Sequence, residues 1–102
     1  MQDRAADLGR ATEEFLAAIR RDNPSMKPGR DRNVQVQMDG TQALLNSFTS
    51  QSAWRGETEI DIVVTVLRPQ GLFAVVFIAP ESEMGVAQPV FQEMLRSIWF
   101  AN

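Results

Sequence analysis

Three carboxylates alternate along one short stretch of the chain, at Glu57, Glu59 and Asp61. In a β-strand, alternate side chains project from the same face, so these three groups would lie side by side. Carboxylate oxygens are the ligands that Ca²⁺ and Mg²⁺ favour, but the glycine-containing loop of an EF-hand is absent here. The competing interpretation is a solvated strand end that discourages edge pairing, and we favour it. The three residues stay candidate binding residues, with no resident metal expected.

A second acidic group follows a long apolar run, at Glu81 and Glu83 with Ser82 between them. Two carboxylates can divide acid and base roles only where their surroundings separate their pKa values. Nothing in the neighbouring sequence indicates such an environment, and Ser82 has no base beside it. We therefore predict a solvated turn.

The chain of 102 residues contains no cysteine and no tyrosine, and its histidine count is zero. The usual general base, the commonest zinc ligand and every thiol nucleophile are thereby missing. An enzyme would have to work with carboxylates alone, as a glycosidase-like pair does. We therefore predict a protein that is not an enzyme and that carries no cofactor.

Trp54 and Arg55 are adjacent in a polar stretch that we interpret as a loop. Tryptophan and arginine are enriched at the energetic centres of protein–protein interfaces. The alternative is a loop that Trp54 anchors against the sheet. Both residues are candidate binding residues for a protein partner.

The overall charge argues against nucleic-acid binding. The formal net charge is −3 and the isoelectric point is near 4.8, whereas proteins that bind phosphate backbones are usually basic. A short basic run interrupted by aspartates does not change that balance; it consists of Arg20, Arg21, Lys27, Arg30 and Arg32. The chain also lacks a stretch of about 20 apolar residues, so we expect no membrane span.

Helical periodicity marks both ends of the chain. The first helix is predicted over residues 3 to about 21, and the second begins with Pro89 in its first turn, after a loop over residues 81–87. The apolar stripes are Leu8, Ala11, Phe15 and Ile19 in the first helix and Val90, Phe91, Met94, Leu95 and Ile98 in the second. We expect Trp99-Phe100 to form a short, packed tail, with Trp99 closing the core.

Four strands are predicted between the helices, over residues 33–38, 42–50, 57–67 and 72–79. Asp39-Gly40 between the first two strands is a strong hairpin signal. Residues 72–79 include no polar residue, so we interpret them as a central strand covered on both faces.

The expected fold class is α+β, an antiparallel sheet of about four strands flanked by two helices in an α/β/α sandwich, in the order α-β-β-β-β-α. Residues 1–102 suit a single domain. Two helices give thin cover for a doubly buried strand, so a homodimer or strands lost by truncation would complete it.

Most of the chain, from about Ala11 to Phe100, resembles the C-terminal domain that follows the catalytic domain in some bacterial HtpX-like (CAAX-protease-like) zinc metallopeptidases. The segments that carry the resemblance are Asp22-Asn23-Pro24-Ser25-Met26, Asp39-Gly40, Glu59-x-Asp61, residues 64–72, Phe77-Ile78-Ala79-Pro80-Glu81 and Phe91-x-x-Met94-Leu95-Arg96-Ser97-Ile98-x-Phe100. The resemblance implies a PsbP-like fold, whose members mostly act in docking and assembly. It does not transfer the peptidase activity, because that chemistry requires a His-Glu-x-x-His helix.

These expectations lead to one reading and one alternative. The first is a non-catalytic accessory domain of a longer protein, which binds a protein partner or the rest of its own chain and is associated with a bacterial zinc metallopeptidase. The alternative is a free-standing PsbP-like module for a small ligand or a protein partner. If the resemblance holds, the compartment is the bacterial cell envelope or periplasm; otherwise it is the cytoplasm.

Overall fold

The computed structural model describes residues 4–51 and 56–100. It has the predicted α+β architecture, an antiparallel sheet with a helix on each face, so the fold class and the α/β/α sandwich are confirmed. The elements in chain order are α1 (Arg4–Asp22), β1 (Lys27–Pro28), β2 (Val34–Met38), β3 (Thr41–Gln51), β4 (Thr58–Arg68), β5 (Gly71–Pro80), a 3₁₀ turn (Glu81–Glu83) and α2 (Met84–Ser97).

The sheet is built from consecutive hairpins. β3 pairs with β4, β4 pairs with β5, and the short β1 and β2 lie along the other side of β3. Asp39 and Gly40 both have positive φ angles, 52° and 70°, as a two-residue type I′ hairpin turn requires. The hairpin predicted at this pair is therefore confirmed, with β1 as an additional fifth strand.

The prediction that residues 72–79 form the central strand is wrong. β5 lies at the edge of the sheet, and the strand covered on both faces is β4. In β5, Val76 and Ile78 are 47% and 58% exposed. An unbroken apolar run is expected for a strand buried on both faces, but the same run occurs when an edge strand leaves apolar side chains uncovered.

The larger core lies between α2 and the sheet. Phe91 is the buried residue of α2, only 2% exposed, and its ring lies 4.7 Å from the ring of Phe77 on β5. The buried sheet residues beneath it are Met38, Ala43, Ile62, Val64 and Val66. Phe91 is therefore the buried α2 member of an apolar cluster that includes residues of four strands.

The smaller core lies between α1 and the opposite face of the sheet. Phe15, Leu16 and Ile19 pack against the buried Phe48 and Val63. This layer also contains a buried hydrogen bond between the hydroxyls of Thr12 on α1 and Thr65 on β4, which are 2.7 Å apart. Both threonines are fully buried, so the hydrogen bond helps to fix the position of α1 over the sheet.

The second helix differs from its prediction in position and in the face that it buries. It begins at Met84 after the 3₁₀ turn, so residues 81–87 are not a loop and Pro89 lies inside the helix. Because proline has no N–H, the carbonyl of Gly85 lacks its usual helical donor. Two of the five residues of the predicted apolar stripe face outward, since Val90 and Met94 are 54% and 49% exposed.

The segment after α2 is only partly packed. The ring of Phe100 meets the ring of Phe73 edge-on at 5.3 Å, and its backbone N–H donates to Asp39 Oδ2 at 2.8 Å. Trp99, in contrast, is 72% exposed, so the expectation that it closes the core is wrong. The tail is therefore held through Ile98 and Phe100, which pack against the core between α2 and the sheet, and not through Trp99.

Gly29 lies against β3 where no side chain fits. Its N–H donates to the Ser47 carbonyl at 2.8 Å, and Ser47 Oγ accepts from the N–H of Asp31 at 2.9 Å. A Cβ at position 29 would lie 2.8 Å from Ser47 Oγ and 3.0 Å from the carbonyl carbon and oxygen of Ser47.

We expect Gly29→Ala to lower the free energy of unfolding by about 1–2 kcal/mol, because the new methyl group must push β3 and the 29–31 segment apart. Gly85→Ala is the matched control, since its Cβ meets nothing within 4 Å and alanine favours the helix. Urea unfolding of both variants measures the difference; equal stability of the two would show that the segment yields without cost.

Candidate functional site

The structure separates the three predicted carboxylates. Glu57 precedes β4 and is exposed, whereas Glu59 and Asp61 lie within β4 on the face that α1 covers. Asp61 is only 6% exposed, so the interpretation of a solvated strand end is wrong at this position. β4 is also an inner strand, and its charges therefore protect no edge.

Asp61 is buried because three elements meet over the beginning of β4. The last turn of α1, with Ile19, covers it from above, and β3 and β5 flank it on either side, where Phe48 and Ile78 are its pairing partners in the sheet. Burial by neighbours that lie far away in the sequence gives no local pattern that could predict it.

A serine on the neighbouring strand joins the two carboxylates. Ser50 on β3 is the direct pairing partner of Glu59, and its hydroxyl lies 3.0 Å from Glu59 Oε1 and 3.0 Å from Asp61 Oδ2. A hydroxyl has one hydrogen to donate. It can therefore donate to only one of the two carboxylates when both are ionised, or donate to Glu59 while accepting from a protonated Asp61.

The surroundings of Asp61 favour its neutral form. Burial raises the pKa of the Asp61 carboxyl above its usual value of 3.8, the Ser50 hydrogen bond opposes that rise, and the neighbouring Glu59 charge adds to it. The second oxygen, Oδ1, is buried without a hydrogen-bond partner. Both observations describe a carboxylate whose negative charge is not compensated.

No basic side chain of the described residues pairs with these carboxylates. The ion pairs found in residues 4–51 and 56–100 join Arg10 to Asp7 at 3.7 Å and Arg96 to Glu93 at 2.8 Å, both on helices. Buried charges in proteins are usually paired or neutralised. A buried carboxylate without a basic partner among the described residues is therefore what distinguishes this site chemically.

Glu59 and Asp61 line a cleft of about 120 Å³ between the end of α1 and the sheet. One part of its wall is apolar and the other carries hydrogen-bonding groups. The lining residues are Ile19, Asn23, Met26, Ser50, Glu59, Asp61, Val63, Val76 and Ile78. We call this space the acidic cleft.

The other predicted site residues are not brought together. Trp54 and Arg55 fall outside the described residues. Glu81, Ser82 and Glu83 form the exposed 3₁₀ turn before α2, which agrees with the solvated turn predicted for them.

Sequence reasoning missed two features. Ser50 belongs to the acidic cleft only through the β3–β4 register, which residue types alone do not fix. The second feature is a surface pocket of about 320 Å³ beside the β4–β5 turn. The guanidinium of Arg68 lies there 4.1 Å above the centre of the Phe100 ring. Trp99 and Phe73 also line this pocket, and a cluster of aromatic residues near an arginine is typical of the centres of protein–protein interfaces.

Within the part of the chain that the structure describes, no three histidine, cysteine, aspartate or glutamate residues come together as a metal site. In the same residues, neither helix is long and apolar enough to cross a bilayer.

Comparison with protein-family models, with curated proteins and with solved structures found no match to this chain. The resemblance to the peptidase-associated domain therefore stays a prediction from the sequence motifs.

Proposed function

We propose that this chain is a non-catalytic protein-interaction domain that docks through the open edge of β5. The observation that carries the proposal is an apolar edge strand without the usual protection. Among the described residues, β5 pairs with β4 on one side and with no strand on the other.

β5 offers a long template for strand addition. It has ten residues, which corresponds to about 34 Å of strand. Protein sheets usually protect such an edge with charged side chains, with proline or with a bulge, and β5 has only the proline at its end. Main-chain hydrogen bonds from an added strand would supply affinity, and the exposed Val76 and Ile78 would supply apolar contacts.

The charges around β5 favour a second copy of this chain as the occupant. Arg68 lies at the β4–β5 turn, whereas the exposed Glu81 and Glu83 follow the opposite end of the strand. When two β5 strands pair antiparallel about a two-fold axis, the basic end of each lies beside the acidic end of the other. The same axis makes the interface self-complementary, as symmetric dimers require.

We expect Val76→Lys to weaken this association by about tenfold or more, because a lysine on the edge must lose water when another strand pairs there. Sedimentation velocity over a range of concentrations measures it. Val86→Lys is the matched control, because it introduces the same charge at a residue that is 79% exposed on α2 and does not belong to β5. A chain that stays monomeric near 1 mM, or equal association of the two variants, would contradict the proposal.

Association with a bacterial zinc metallopeptidase is a separate part of the proposal and rests on the sequence resemblance. Mass spectrometry of the native gene product tests it directly. Peptides from an upstream region with His-Glu-x-x-His would support a peptidase-associated domain. A gene product of this chain's own length would instead support the alternative, a free-standing binding module. The acidic cleft is the feature of the structure that favours this alternative.

A further inference from the structure

The surface pocket beside the β4–β5 turn combines one arginine with an aromatic wall. Its volume of about 320 Å³ lies within the range of roughly 300–1,000 Å³ that is typical of small-molecule sites. Such sites are lined mainly by apolar and aromatic side chains, with a few polar groups that orient the ligand. The apolar wall consists here of Leu72, Phe73, Trp99 and Phe100, and the charged group is Arg68. We call this space the aromatic pocket.

The charge of Arg68 has no carboxylate to pair with among the described residues. Neither of the ion pairs found in residues 4–51 and 56–100 includes it. Arg68 is half-buried, and its guanidinium lies 4.1 Å from the centre of the Phe100 ring. Stacking on a ring uses the flat face of a guanidinium, whereas its N–H donors lie in the plane of the group. A carboxylate is the anion that this planar fork can hold through two parallel hydrogen bonds.

The wall that carries Arg68 is held in place without a ligand. The ring of Phe100 meets the ring of Phe73 edge-on at 5.3 Å, and the N–H of Phe100 donates to Asp39 Oδ2 at 2.8 Å. Groups that are fixed in advance lose little conformational freedom when a ligand binds. Trp99 is 72% exposed, so its indole is available to cover an aromatic ligand.

We propose that the aromatic pocket binds a small-molecule carboxylate that carries an aromatic ring on a short alkyl chain. Arg68 holds the carboxylate, and the rings of Phe73 and Trp99 cover the ring of the ligand. The proposal does not rest on pairing at the edge of β5.

A phosphate ion fits this pocket less well. A dianion needs more compensation than one guanidinium supplies, and it gains nothing from an aromatic wall. The carboxylate of Asp39, which accepts from the N–H of a lining residue, also disfavours a second negative charge close by. Inorganic phosphate at equal ionic strength is therefore included as a comparison and should cause no saturable change at the pocket.

The test is a titration of the ¹⁵N-labelled chain with sodium 3-phenylpropionate at pH 7 and constant ionic strength. We expect saturable shifts of the Arg68, Gly71 and Phe100 amides and of the Trp99 indole N–H, with a dissociation constant on the order of 1 mM for so small a ligand. The neutral analogue 3-phenylpropanamide and the ring-free acetate should each bind at least tenfold more weakly. Equal binding of either one, or no saturation up to about 50 mM, would overturn the proposal.

Two variants test the two halves of the pocket. Arg68→Gln should weaken binding of 3-phenylpropionate by at least tenfold, while Arg21→Gln, the same change at an exposed position on α1, should leave it unchanged. Trp99→Ala should weaken binding by about three- to tenfold. Because Trp99 is 72% exposed, the second variant keeps the test valid even if Arg68→Gln releases the tail. Unchanged binding by either variant would contradict the proposal.

A peptide decides whether the ligand is a small molecule or the end of a partner chain. A short peptide that ends in phenylalanine with a free carboxylate presents the same two groups from a protein. We expect it to bind no more tightly than 3-phenylpropionate. Binding of this peptide at least tenfold more tightly would overturn the assignment to a small molecule and indicate the C-terminus of a partner protein.

Discussion

Replacing Phe91 by alanine will lower the free energy of unfolding by about 3–5 kcal/mol. Phe91 is 2% exposed, and its ring contacts Phe77 at a centroid distance of 4.7 Å. It is the buried residue of α2, so its removal takes away the central contact of that helix and leaves a cavity over β4. Urea denaturation, with the slope checked for two-state behaviour, measures the loss.

Val90→Ala is the control for this prediction because it truncates an aliphatic side chain on the same helix that is 54% exposed. We expect it to change stability by no more than about 0.5 kcal/mol. If Phe91→Ala costs as little as Val90→Ala, α2 does not depend on this contact, and the core between α2 and the sheet would have to be reassigned.

Replacing Asp61 by asparagine will stabilise the chain at pH 7, by about 1–3 kcal/mol, because a buried carboxylate without a full set of donors is costly. Asparagine reproduces the bonding of the protonated acid: its amide donates to Ser50 Oγ, and Ser50 then donates to Glu59. The gain should appear in urea unfolding at neutral pH.

The pH dependence of this gain follows from the direction of the pKa shift. Because the pKa of Asp61 is raised in the folded chain above 3.8, the folded state binds more protons than the unfolded state between the two values. The stabilisation that the parent chain gains from a protonated Asp61 is complete below pH 3.8. It is lost as the pH rises through the folded-state pKa of Asp61.

The advantage of Asp61→Asn over the parent should therefore shrink as the pH is lowered toward 3.8 and reach a plateau at higher pH. Glu14→Gln, an exposed carboxylate change, should show no such trend. A gain that is constant over the whole pH range would mean that the charge of Asp61 is not the cause.

Periodicity and turn chemistry allowed much of the fold to be predicted. Asp39-Gly40 determines its hairpin through local backbone angles, and the spacing of Leu8, Phe15 and Ile19 is set by one helical face. Both signals lie within a few residues of the structure that they specify. The order of the helices and the four longer strands followed from them.

The position of each strand within the sheet could not be predicted in the same way. An unbroken apolar run over 72–79 does not distinguish an inner strand from an edge strand, because the difference lies in whether a second strand pairs beside it, and among the described residues β5 pairs only with β4. The acidic cleft was partly predicted: Glu59 and Asp61 share a face, as strand alternation required. Ser50 and the burial of Asp61 depend on register and on the end of α1.

The contact between Asp39 and the Phe100 amide bears on the order in which the chain folds. The sheet is a meander in which every long strand pairs with its neighbour in sequence, so these hairpins close short loops at little entropic cost. The tail instead joins residues that are 61 positions apart and requires both the β2–β3 and the β4–β5 turns to exist first. We therefore expect the tail to dock after these hairpins have formed, and its amides to exchange hydrogen faster than those of β4.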